Sequence, residues 1–307
     1  MFAAALQQGG ATVVLVSRHE SGLSSFQLVR QGLFSGQKRV EIPITTALPE
    51  ADITLISVRG EQLDGAAGEA LWARLKERRA PVVMLSPVLK RGAEHWKARL
   101  PNVVLSLPAI AVRWHPERAQ LCYWSSPLAI TLLEMPRGEA AQALIRRLRD
   151  LLTQGGIKAK LSDTVESDGP ATTVAFFPFQ VALASNNHLR SWGQDPDLIR
   201  QLTAALRECR TFARRMGRVD PGVALMAWAL SQTWLLRCFC AIVPRVLPDL
   251  TEFLEFHFGP KLMAQHRLFA HEIEHQAAAW GASAVHLRAL VESAERSAAS
   301  RPALPSS

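Results

Sequence analysis

A chain of 307 residues, 48% of them apolar, carries enough hydrophobic material for two ordinary domains and excludes global disorder. Its formal charge of +8 is mostly arginine, since only seven lysines are present, and the arginines are scattered rather than set in a basic block interleaved with aromatics. That pattern reads as a solvated surface with some phosphate-binding residues, with nucleic-acid binding the minor alternative.

The four cysteines, Cys122, Cys209, Cys238 and Cys240, form no C-x-x-C pair, so neither a disulfide framework nor a zinc knuckle is expected. Residues 1–10 show no basic region followed by an apolar block, and a reduced cytoplasm is the expected location.

Residues 1–8 predict a helix, because Ala3, Ala4, Ala5 and Leu6 are strong helix formers, and Gly9-Gly10 stops it. Residues 12–17 are a β-branched apolar run that predicts a buried strand ending at Ser17-Arg18. Helix, tight turn and buried strand make the second half of a βαβ unit. The first half, a strand and a glycine-rich turn, is missing from the sequence. The expectation is a sheet without its first strand, arising either from a start codon assigned too far downstream or from a truncated gene.

Further strands are predicted at 53–58, 82–86 and 103–107, with weaker ones near 121–124 and 130–135. Helices are predicted at 24–31, 62–79 and 90–100. The strands are continuous apolar runs, which favours a parallel sheet covered on both faces. Residues 138–153 predict another helix, with Ala141, Leu144, Ile145, Leu148 and Leu151 at helical spacing.

Beyond about residue 160 the strand signals stop. Asp195-Pro196 and Asp220-Pro221 each read as an N-cap followed by proline at the first helical position. The first opens a helix with Leu198, Leu202, Ala205, Cys209, Phe212 and Met216 on one face. The second opens GVALMAWALSQTWLLRCFCAIV, interrupted by Ser231-Gln232-Thr233 and by Arg237. A membrane span needs roughly 20 apolar residues, so this stretch reads as a buried core helix, with a dimer surface also consistent with its pattern. About six helices are expected in all, and the tail from Ser300, with Pro302 and Pro305, reads as disordered. The expected division is 1–160, 161–299 and a tail of 300–307.

Several positions carry candidate chemistry. In a dinucleotide-binding βαβ unit the end of the second strand faces the adenosine ribose, where an arginine pairs with the 2′-phosphate of NADP. Arg18 beside Ser17 fits that position, and an ordinary surface arginine fits it equally. Ser57, Val58 and Arg59 follow the next strand, where ligands of open parallel sheets bind. Ser86 and Pro108 stand in the corresponding places after the next two strands, although plain turn chemistry accounts for both.

HEIEH, residues 271–275, matches H-E-x-x-H, with Glu292 or Glu295 as a third zinc ligand. Both histidines lie off the stripe of Leu262, Phe269, Ile273, Ala277 and Trp280, so exposed helix residues are the favoured reading. Glu208 sits at the edge of its helix's apolar stripe, where a solvated glutamate is the commoner outcome.

Together ATVVLVSRHE, LVRQGLFSG, ADITLISVRGEQL and LIRQLTAALRECRTFARRMG resemble the ketopantoate reductase (2-dehydropantoate 2-reductase) family. The resemblance implies an α/β plus all-α fold: a Rossmann-like parallel sheet, here without its first strand and glycine loop, followed by an all-helical domain. It implies NADP as cofactor, with Arg18 at the 2′-phosphate arginine, Arg59 in place of a cofactor-contacting lysine, and Glu208 at the glutamate of the substrate cleft, the expected catalytic residue facing a small-molecule substrate; the strand-end residues Ser17, Ser57, Val58 and Ser86 complete the expected cofactor site. The implied function is reduction of a 2-oxo acid or related carbonyl by hydride transfer, in a cytoplasmic protein that a homodimer would suit, with no nucleic-acid or membrane partner. No metal is implied.

The sequence also departs from the family. No glycine fingerprint precedes FAAAL, and no lysine lies between 161 and 260, where the catalytic lysine should open a helix around 168–173. Thr173 or Val174 stands at the family's asparagine, and SPVLKRG replaces its Asn-Gly. A missing general acid costs about 10²–10⁴-fold in rate. The alternative is therefore a catalytically inactive nucleotide-binding or interaction relic, with a zinc hydrolase through HEIEH a minor third reading.

Overall fold

The structure is a computed structural model and describes all residues except 18–24, 31–35, 59–61, 64, 88, 125–129, 186–187, 260–261 and 300–307. The expected tail lies outside the described residues. The chain divides into two compact units, Met1–Gly169 and Pro170–Ser307.

The first unit opens with α1 (Phe2–Gln8), which stops at Gly9 and buries Ala4, Ala5 and Leu6. β1 (Leu15–Val16) follows. Next come β2 (Ser25–Arg30), β3 (Gly36–Glu41), β4 (Ile44–Thr45) and β5 (Thr54–Ile56). α2 (Ala66–Lys76), β6 (Val82–Met84), α3 (Lys90–Arg99) and β7 (Val103–Leu107) alternate after them. β8 (Ala111–His115), β9 (Gln120–Trp124), β10 (Thr131–Glu134), α4 (Glu139–Gln154) and β11 (Ala159–Ser162) complete the unit.

The main sheet has the order β11-β10-β7-β6-β5, with β5, β6 and β7 parallel. Val82, Val83 and Met84 are fully buried, as the continuous apolar run requires of a strand covered on both faces. β10 runs antiparallel to β7 and parallel to β11, so the sheet is mixed at this edge and extends through Ser162.

The sheet is interrupted on its other side. β5 pairs only with β6, and β1 pairs only with β4, in parallel, among the described residues. The two parts nevertheless share a core. Val13, Ile53 and Leu55 pack with Leu6 of α1 and with Ile145, Leu148 and Leu152 of α4.

α1 and α4 approach very closely. A Cβ on Gly155 would lie 1.9 Å from the Ala5 carbonyl oxygen, and one on Gly9 would lie 2.3 Å from that of Leu151. Only glycine permits either approach.

The helix expected at 24–31 is corrected. Its described part is β2, antiparallel to β3 and parallel to β9, in a second sheet ordered β3-β2-β9-β8. Leu28 is buried against Val40 and Ile42. Two ladders and a shared apolar patch outweigh a weak local helix preference. This sheet stands in addition to the parallel strands β5, β6 and β7 that the sequence predicted.

The second unit is helical. α5 (Val165–Ala184) leads into it, followed by α6 (Leu189–Trp192), α7 (Pro196–Met216), α8 (Pro221–Leu230) and α9 (Thr233–Val246). α10 (Pro248–His257), α11 (Met263–Ala279) and α12 (Val285–Ala299) finish it, eight helices among the described residues where about six were expected.

Both proline starts hold. Asp195 accepts from the Asp197 and Leu198 amides, and Asp220 from that of Val223. The stripe from Leu198 to Phe212 is buried as its spacing requires.

The apolar stretch after Asp220 is not one buried core helix. α8 and α9 meet at a break, bent by 99°, and no single described helix is long and apolar enough to cross a membrane. Ala227, Leu230, Leu236 and Cys240 are buried, whereas Leu225, Trp228, Trp234, Ile242 and Val246 are exposed. The turn at Ser231 gives the two helices different inward faces.

Candidate functional site

The parallel strands β1, β5 and β6 end at residues 16, 56 and 84, and the polar residues expected to hold a cofactor follow them. Ser17 is half-buried, and its amide donates to the Thr45 carbonyl at 3.0 Å, extending the β1–β4 ladder by one bond. Ser57 is exposed, with its side chain at the surface after β5. Val58 packs against the core formed by Trp72, Met84 and Leu105.

Ser86 is buried, and its hydroxyl donates to the Val58 carbonyl at 2.6 Å. Ser106 repeats the device one strand along, donating to the Met84 carbonyl at 2.5 Å. The strand ends are thus stitched side to side, and Ser86 and Val58 are brought together. Arg18 and Arg59, the two cations of the expected site, lie outside the described residues.

A nicotinamide dinucleotide can be tested against this set. Hydroxyls and main-chain groups at the carboxyl ends of parallel strands fit an adenosine ribose. The hydroxyls of Ser17, Ser57 and Ser86, after β1, β5 and β6, are groups of that kind.

Glu208 has a different setting. Its two carboxylate oxygens accept from the backbone amides of His286 at 3.3 Å and Leu287 at 2.8 Å. These amides open α12, where an acidic side chain is stabilised by unpaired N–H groups and the helix dipole. Glu208 therefore ties α7 to α12, and its carboxylate is already engaged. Burial, with the Glu208 charge beside it, raises the Cys209 thiol well above its usual range, which leaves an unreactive cysteine.

The stretch 168–173, where the resemblance implies a lysine, holds none, and Thr172 and Thr173 of α5 are buried. The Thr172 hydroxyl accepts from the Asp220 amide at 3.0 Å and so helps fix the start of α8.

HEIEH forms no metal centre among the described residues. His271 and His275 are exposed, as their position off the apolar stripe predicts. Glu274 instead pairs with Arg288, and Glu295 with Arg267.

The sequence reading missed three polar features. Lys97 bridges Glu134 at 2.5 Å and Glu166 at 2.8 Å, and Glu134 also accepts from the Leu105 amide. Burial disfavours the Lys97 ammonium, but the two carboxylates outweigh it and hold its pKa above the usual value. His266 is fully buried with neither ring nitrogen hydrogen-bonded. Arg207, Arg210 and Arg214 form a row on α7, and their i, i+3, i+7 spacing was visible in the sequence.

No protein-family profile and no curated protein matches the chain. Solved structures do. A PanE/ApbA family ketopantoate reductase from Ralstonia eutropha JMP134 aligns with a TM-score of 0.66 at 16% identity, covering 96% of this chain and 93% of its own. A dimeric ketopantoate reductase from Staphylococcus aureus aligns at 0.63 and 13% identity, covering 96% and 93%. D-mandelate dehydrogenase, solved with NADH and anilino(oxo)acetate, aligns at 0.61 and 15% identity, covering 97% and 94%. At these identities the likeness is one of fold, and the chain shares the two-part fold of these ketopantoate reductases.

Proposed function

We propose that this protein is an NADP-dependent oxidoreductase of the ketopantoate reductase type, acting in the cytoplasm on a 2-oxo acid or related carbonyl. One observation carries the reading: the Ser86 hydroxyl holds the Val58 carbonyl at the carboxyl ends of β5 and β6, beside Ser57 and the sequence position of Arg59, while Ser17 precedes Arg18 after β1. A bound dinucleotide would supply the hydride. The protein's own part is to hold the adenosine end, with Arg18 and Arg59 preferring the extra phosphate of NADP. The fold shared with ketopantoate reductases and with a dehydrogenase solved with NADH supports the class. The dimeric Staphylococcus aureus enzyme makes a homodimer the natural assembly to test.

Calorimetric titration with NADPH and NADH, followed by NADPH oxidation with a panel of 2-oxo acids, tests this reading. Tighter NADPH binding that Arg18→Ala abolishes, together with turnover, supports it. Absence of binding to either cofactor sinks it.

A second reading is favoured by α5. No lysine stands in 168–173, where the resemblance implies the catalytic one, and Thr173 or Val174 stands at the family's asparagine. A protein that binds nucleotide without turnover would account for that. NADPH binding with no oxidation of any 2-oxo acid is its expected signature.

A further inference from the structure

The elbow of α7, α8 and α9 combines three features that the proposed activity leaves unused. The first is apolar exposure. Leu225 and Trp228 on α8 are 62% and 46% exposed, and Trp234, Ile242 and Val246 on α9 are 66%, 56% and 66% exposed. On α9 the exposed residues Trp234, Cys238, Ile242 and Val246 recur every four positions and form one stripe.

The second feature is the sign of the charge. Residues 221–248 contain no Asp or Glu, and their only charged residues, Arg237 and Arg245, are both exposed. The third is the arginine row on α7. Arg207 donates to the Ser231 carbonyl at 3.1 Å, and Arg210 to the Ser231 hydroxyl at 3.0 Å, which sets the row against the α8–α9 turn. None of Arg207, Arg210, Arg214, Arg237 and Arg245 has a carboxylate partner among the described residues. Burial, and then the charges of Arg214 and Arg207, lower the pKa of Arg210.

We propose that this elbow docks on the surface of an anionic lipid bilayer, with the exposed tryptophans at the headgroup boundary and the arginines on acidic headgroups. Tryptophan is enriched at that boundary, and an apolar stripe flanked by cations is the pattern of a helix lying in the interface. The cytoplasmic leaflet carries the matching negative potential. A second copy fits less well. A two-fold contact through the α9 stripe would bring Arg237 and Arg245 near their copies, and residues 221–248 hold no acid to pair with them. The depth implied is that of a peripheral contact, since neither helix is long enough to span.

The test is co-sedimentation of the full chain with phosphatidylcholine vesicles, with and without phosphatidylglycerol. Binding is expected only with the acidic lipid, weakening as salt is raised. Arg214→Gln/Arg237→Gln, at exposed positions, should weaken it by at least about tenfold. Trp234→Ser/Ile242→Ser should abolish it while circular dichroism stays unchanged. Equal binding to both vesicles, no binding to either, or indifference to both variants overturns the proposal. Light scattering that shows a dimer dispersed by Trp234→Ser overturns it in favour of a second copy.

Discussion

The Leu287 amide donates to the Glu208 carboxylate at 2.8 Å, across 79 residues of sequence. Because the other oxygen takes the His286 amide, one side chain on α7 closes the first turn of α12. Glu208→Ala is expected to cost about 1–2 kcal/mol, the usual effect of losing an N-cap. Glu208→Gln, which can still accept hydrogen bonds but carries no charge, should cost less. Urea unfolding of the two variants measures both. A Glu208→Ala protein as stable as the parent would free Glu208 for another task.

His266 makes stability depend on pH. The ring is 1% exposed, lies edge-on to Phe177 and is pushed down to about 4 by burial. Its folded pKa is below the unfolded value near 6.5, so the unfolded state takes up the proton first as pH falls. The stability is complete above about 6.5 and is lost progressively as pH falls from there through 4, by about 3 kcal/mol in total. His266→Phe should flatten this dependence and remove two unpaired buried nitrogens. Chemical unfolding across that pH range, parent against variant, is the measurement.

Gly155 has no room for a side chain. An alanine Cβ there would meet the Ala5 carbonyl oxygen at 1.9 Å, a backbone atom that cannot rotate away. Gly155→Ala should separate α1 from α4 and cost about 1–3 kcal/mol, the range for overpacking. Hydrogen exchange of α1 amides should rise more than that of the β6 and β7 amides.

Lys97 holds two carboxylates from different elements. Replacing it with methionine keeps most of the aliphatic stem but leaves Glu134 and Glu166 facing each other. A loss of about 1–3 kcal/mol is expected, because the mostly buried Glu134 keeps only the Leu105 amide. Adding Glu166→Gln to Lys97→Met should recover part of it, which a double-mutant cycle would read.

The legible parts of this protein were those decided within a few residues. Asp195-Pro196 and Asp220-Pro221 start α7 and α8 because cap and proline act on the adjoining turn. The valine runs of β6 and β7 announce buried parallel strands because their own side chains must be covered on both faces. The exposed histidines of HEIEH followed from helical periodicity alone.

What the sequence left open depended on partners far along the chain. SFQLVR is a strand because Val40, Ile42 and β9 give it two ladders and a core, and none of these is local. Glu208 reads as an ordinary helix glutamate until α12 arrives to use it. The apolar run after Asp220 shows its hydrophobicity in the sequence, but only the bend at Ser231 decides which tryptophans face outward. Local propensity and capping are properties of a few consecutive residues, whereas burial and the partner of a charged group are fixed only when distant segments meet.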